Sequence, residues 1–178
     1  MCKRNNSALF FTCSLIEQIG RMLHARRGEV AAALGERGIR AVYDYADVLH
    51  CDPIEKAADD TITEFSLQSG SYDNIAPARY AVPDVWTMGK VYARLIEDVS
   101  DEYNVVETLL AVYTSWIDEK LSDYNSSFYY EPRDYIAECY RQGTVLDWMW
   151  RWAKYSMTRS SPAGGKRSSA QQRTLLWR

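Results

Sequence analysis

The chain has 178 residues, 47 % of them hydrophobic and 13 % aromatic, with a formal net charge of −3. That length suits one domain, and the apolar share can build a core, which excludes a wholly disordered chain. No apolar run approaches the roughly 18 residues that cross a bilayer, so no membrane span is expected.

The small net charge hides three blocks. Residues 1–40 carry net +4, residues 41–147 net −14 and residues 148–178 net +7. Cys2, Cys13, Cys51 and Cys139 are scattered without a CxxC pair, which fits thiols in a reducing compartment better than a disulfide framework. Lys3 and Arg4 precede an apolar stretch at 8–16, but Thr12 and Ser14 interrupt it, Glu17 ends it and no small-x-small cleavage site follows. A secretory signal is therefore not expected, and the predicted location is cytoplasmic.

Apolar spacing is helical nearly throughout. Ser7 is the expected cap of a first helix striped by Phe11, Leu15, Ile19 and Met22 or Leu23, ending in a basic patch before Gly28. A short helix over 29–34 should stop at Gly35, and another should run from Ile39 to about His50. Asp52-Pro53-Ile54-Glu55 reads as a capping Asp, a Pro at the first helical position and a Glu at the third. The helix behind it carries Ile54, Ala58, Ile62 and Phe65.

Residues 68–83 hold Gly70, Asp73, Asn74, Pro77 and Pro83 and read as a loop, with a hint of strand over 78–82. Asp84 then opens a helix with Val85, Met88, Tyr92, Leu95 and Val99. Asn104 with Glu107 resembles a capping box. The apolar stretch behind it, from Val105 to Leu121, is the expected central helix, with Leu109 inside it. A turn follows over 125–131. Pro132 then starts a helix that Gly143 stops, and Thr144 should cap a last helix over 145–157. From residue 159 the composition becomes small, polar and basic, as in a disordered tail. The expected architecture is all-α: a single compact helical domain of about seven or eight helices over 1–158, with a disordered basic C-terminal tail over 159–178.

Few residues combine into a reactive group. His50, Cys51 and Asp52 are adjacent, but neighbours on a helix point about 100° apart, so a thiolate–imidazole pair is not expected. Asp52 reads as a cap, and His50 as a last-turn residue favoured by the helix dipole. His24 and His50 stand far apart, so no metal site is predicted. The doublets Asp59-Asp60, Asp101-Glu102 and Asp118-Glu119 read as solvent-facing acids. No GxxxxGK[ST], GxGxxG or GxSxG motif occurs, so no cofactor is expected. The Arg-x4–6-His pattern of small helical ribonucleases is missing as well.

Two features point to binding. The acidic middle block suits a partner with a basic surface, and Asp44, Asp47, Asp59 and Asp60 are its candidate contacts. Trp148 and Trp152, four apart beside Arg151 and Lys154, share a helix face that anchors the last helix to the core or meets a partner. The basic tail implies at most weak, nonspecific nucleic-acid contact.

The stretches LFFTCSLIEQIGR and GIRAVYDYADVLHCDPIEKAADD, spanning Leu9 to Asp60, with a fainter echo in VPDVWTMGKVYARLI, resemble a small uncharacterised family of helical proteins from gut anaerobes. Short members of that family resemble partners encoded near ADP-ribosyltransferase-like, toxin-like genes. The resemblance implies an antitoxin-like or accessory role and carries over no catalytic residue. Two functions are expected: an interaction module acting through an acidic helical surface, or an enzyme of unfamiliar type using carboxylates and Tyr within 43–60. The missing nucleophile–base pair and phosphate loop favour the module.

Overall fold

The computed structural model describes residues 5–147 and 149. The chain divides into two units, 1–145 and 146–178. The first unit is all-α, built from α1 (Asn6–Leu23), α2 (Arg27–Asp44), α3 (Ala46–Leu49), α4 (Ile54–Glu64), α5 (Val85–Val99), α6 (Val105–Tyr113), α7 (Trp116–Ser122), a single 3-10 turn at Phe128–Tyr130, and α8 (Arg133–Gln142). No strand occurs among the described residues, and 78–82 belongs to the loop before α5. No described helix is long and apolar enough to cross a membrane.

The central helix is α1, not the stretch behind Asn104. α1 packs against α2, α3, α4 and α5. It is buried on nearly every side, polar positions included: Thr12, Ser14 and Glu17 are as enclosed as Leu9 and Ile19. Two of those polar groups are satisfied within the helix. Thr12 donates its hydroxyl to the Ala8 carbonyl at 2.8 Å, and Ser14 to the Phe10 carbonyl at 2.9 Å. These internal bonds let hydroxyls sit in a core helix, which is why the apolar pattern understated its burial. Its cap is Asn5 rather than Ser7, with Asn5 Oδ1 accepting from the Ser7 and Ala8 amides at 3.1 and 3.3 Å. His24, in the left-handed conformation at φ 50°, ends it before Gly28 is reached.

The stretch expected as one helix over 105–121 is two. α6 ends at Thr114, and Ser115 restarts the chain as α7 by accepting from the Ile117 amide. Leu109 is nevertheless fully buried. Asn104 makes no capping box; its Oδ1 accepts instead from the Asp101 amide (2.8 Å) and the Thr108 hydroxyl (3.2 Å). Asp52 does not cap α4 either. Pro53 occupies the cap position, and Asp52 takes an ion pair from Lys56 at 2.7 Å. On α4 the core face is Ile54, Ala57, Ala58 and Thr61, with Ile62 and Phe65 half-buried.

The helix expected from Ile39 to about His50 is broken at Tyr45, between α2 and α3, while three other boundary signals fall where they were read. At Gly35, φ 60° and ψ −177° kink α2 where a stop was expected, a backbone state that side chains with a Cβ resist. Asp84 caps α5, accepting from the Thr87 amide at 2.6 Å. α8 begins after Pro132 and stops at Gly143.

α5 lies against α1 more closely than two ordinary helices can. A Cβ on Gly89 would fall 2.0 Å from Ser14 Oγ and 2.8 Å from its Cα and N. Glycine is what allows that crossing, and it draws Tyr92, one turn on, into the core. There the Tyr92 and Tyr113 rings stack at 4.3 Å. Loop 67–83 is strapped over the α1–α2 corner by bonds from the Gly70 and Tyr72 amides to the Leu23 and His24 carbonyls, both 2.7 Å.

In the second unit the Met149 amide donates to Asp147 Oδ1 at 2.9 Å. Residues 145–147 are not helical, so a last helix does not start at Thr144. Trp148, Trp152 and the tail from 159 lie outside the described residues.

Candidate functional site

Besides surface ion pairs such as Arg133 with Glu97 and Asp98, two gatherings of charged groups have opposite character. The first is inside. α1 and α2 meet at a tight corner over 24–26, which brings Glu17 and Arg27 face to face at 1 % and 4 % exposure. Arg27 donates to both Glu17 carboxylate oxygens, to Ser122 Oγ and to the Tyr124 hydroxyl. Tyr124 in turn donates to Glu17 Oε1 at 3.1 Å. Arg21, half-buried, adds a bond to Glu17 at 2.6 Å and one to the Pro83 carbonyl at 2.7 Å. Beside this network the Tyr92 hydroxyl donates to Asp118 Oδ1 at 2.6 Å. Asp118 is thus a core residue, which corrects its reading as a solvent-facing acid.

Burial alone would raise the Glu17 carboxyl, but the charges and hydrogen bonds of Arg27 and Arg21 outweigh it and hold the carboxyl below its ordinary value. For Asp118 burial wins over the Tyr92 hydrogen bond and the Arg27 charge, and its carboxyl is raised. Burial also pushes the Cys13 thiol up to about 12, so Cys13 is a core side chain and not a nucleophile. A cleft of about 250 Å³ opens over Glu17, Arg21 and Arg27 beneath residues 72–76. Its floor sets one carboxylate, Glu17, between two guanidiniums, and Arg27 is bonded further to Ser122 and Tyr124, which suits a structural clamp joining α1, α2 and the 122–124 corner. Sequence reading missed it. The available signal was one acid on the buried stripe of α1, four residues from Cys13 and three from Gly20, followed past a turn by an arginine.

The second place is outside. Asp44 at the end of α2, Asp47 in α3 and Asp59 and Asp60 on α4 are all exposed. Lys56 bridges Asp52 and Asp60 at 2.7 and 3.1 Å, an exposed cation already shared by two carboxylates. Next to Asp47 a groove of about 280 Å³ is lined by Ser7, Phe10, Phe11, Ala46, His50 and Trp86. The Phe10 and Trp86 rings are 5.7 Å apart, and Trp86 is 44 % exposed. Tyr45, just before α3, and Val48 within it are exposed at 65 % and 68 % but do not line the groove. The sequence located the acids but not the groove, which is assembled from three helices distant in sequence.

Tyr43 is buried, and its hydroxyl accepts from the Asn5 amide at 2.5 Å. His50 Nδ1 faces the Ala46 carbonyl at 3.2 Å, and Cys51 Sγ the Asp47 carbonyl at 3.6 Å. Each side chain turns back on its own backbone instead of meeting the other. No group of three His, Cys, Asp or Glu among the described residues could hold a metal.

Searches of protein-family models, curated proteins and solved structures return no match to this chain.

Proposed function

We propose that this protein is a cytoplasmic interaction module, an antitoxin-like or accessory partner that recognises a basic protein surface through Asp44 at the end of α2, Asp47 in α3 and Asp59 and Asp60 on α4. The observation that carries the reading is the contrast between the two charged places. Inside, carboxylates are consumed by Arg27, Arg21 and Tyr92. Outside, Asp44, Asp47 and Asp59 stand exposed in the stretch of strongest negative charge. Exposed like charges cost little to keep in water and steer an oppositely charged partner at long range. The groove beside them, of about 280 Å³, is lined by Phe10, Phe11 and Trp86, a lining that suits a large apolar side chain of a partner.

The test begins by isolating what binds the untagged protein in its own cells and measuring association rates across salt concentrations. The rate should fall steeply as salt rises while dissociation changes less. A salt-independent rate would sink the reading. So would an Asp59→Asn/Asp60→Asn variant that still binds its partner yet loses a measurable turnover, since the acids would then be catalytic.

A further inference from the structure

We propose that the groove between α1, α3 and the start of α5 is the anchor site for a basic amphipathic helix of the partner. One large apolar side chain enters between Phe10 and Trp86, and cations one turn away meet Asp47 and Asp44. The inference rests on the interaction-module reading and adds to it the place, the secondary structure and the chemistry of the bound segment.

The groove has the make-up of a binding hot spot. Its floor is apolar, from Phe10, Phe11 and Ala46, and one wall is Trp86, still 44 % exposed. A Trp lining a pocket is the residue type that dominates alanine scans of interfaces.

Charge decides the occupant. No Lys or Arg among the described residues lines the groove; its wall holds one carboxylate, Asp47, beside His50, and exposed Asp44 lies three residues before Asp47. An apolar slot with a carboxylate in its wall favours a segment that carries both an apolar anchor and a cation. Within a helix those groups meet naturally, because positions three or four apart are neighbours. The described residues contain no strand edge that a β-segment could extend, and an apolar anchor with a cation one turn away is the pattern of a helix laid into a groove.

The probe is a fluorescently labelled Leu/Lys amphipathic peptide of about 18 residues, long enough to form a helix, followed by anisotropy with the full chain. Wild type should bind it, tightly at low salt and more weakly as salt rises. It should ignore a scrambled peptide of equal charge. Trp86→Ala should weaken binding by about tenfold or more. Ser7→Trp, at an exposed position on the groove wall, should do the same by filling the slot, so the result does not hang on one variant's folding. Asp44→Asn/Asp47→Asn should flatten the salt dependence. If charge neutralisation weakens binding while both groove variants bind like wild type, the acidic-surface reading survives and the groove proposal falls. If the groove variants lose binding but neutralisation changes nothing, the basic occupant is wrong. Tighter binding of a proline-rich peptide, or no helix binding by wild type, overturns the proposal.

Discussion

Glu17 and Asp59 are both acids on helices, yet they differ in every physical respect. Glu17 is 1 % exposed and receives bonds from Arg27, Arg21 and Tyr124. Asp59 faces water one residue from an acid that shares Lys56. A buried carboxylate survives only when its lost hydration is replaced in full, so it must be part of the architecture. An exposed one keeps its hydration and adds little to stability, so it remains available to a partner. The difference separates residues that hold the fold from residues that can be spent on recognition.

The comparison can be broken most forcefully from the inside. Glu17→Gln leaves buried Arg27 without its carboxylate partner and should cost about 3–5 kcal/mol, more than Arg27→Met, which leaves Glu17 its ion pair with Arg21. Chemical denaturation checks this. A loss below about 1 kcal/mol would mean that water already reaches the pair through the cleft above it.

Packing around the clamp comes next. Leu109→Ala should cost about 2–5 kcal/mol, because a fully buried side chain leaves a cavity. Gly89→Ala should cost about 1–3 kcal/mol, although alanine ordinarily favours a helix. The new methyl must displace Ser14 backbone on α1. A Gly89→Ala protein as stable as wild type would show that α5 can move away from α1 freely.

A pH titration sharpens the contrast between the two acids of the core. The Glu17 carboxyl is lowered on folding, so its contribution is complete above the ordinary value of 4.5 and is lost as pH falls through its folded value. Asp118 is raised on folding, so its contribution is present below the ordinary 3.8 and is lost as pH rises through its folded value. Stability measured against pH should therefore fall on the acid side in wild type, and that limb should flatten in Glu17→Gln. An unchanged acid limb would assign it to other carboxylates.

The smallest stability effect is expected outside. Asp59→Lys/Asp60→Lys should move the thermal midpoint by no more than about 2 °C, while slowing association with a basic partner. A larger loss of stability would place these acids in the architecture and remove the distinction.

Local sequence determined where several helices begin and end. Asp84 as a cap, Gly35 as a break, Gly143 as a stop and the proline-rich loop before α5 each follow from the φ/ψ range or the hydrogen-bonding capacity of a single residue. The blocks of charge were legible too, because exposed acids need no partner to be where they are. What sequence could not determine was which element lies at the centre. The most apolar stretch, 105–121, breaks at Thr114, while α1 takes the centre despite Thr12, Ser14 and Glu17. Their burial is tolerated only because Ala8, Phe10 and Arg27 satisfy them. Asp118 turned inward for the same reason, once Gly89 let α5 bring Tyr92 within reach. Caps and stops are local, so residue chemistry settles them. Thr12 and Ser14 find their carbonyls one turn back in the same helix, but burying Glu17 takes partners 10 to 107 residues away in the chain, and only the tertiary structure decides whether they all arrive.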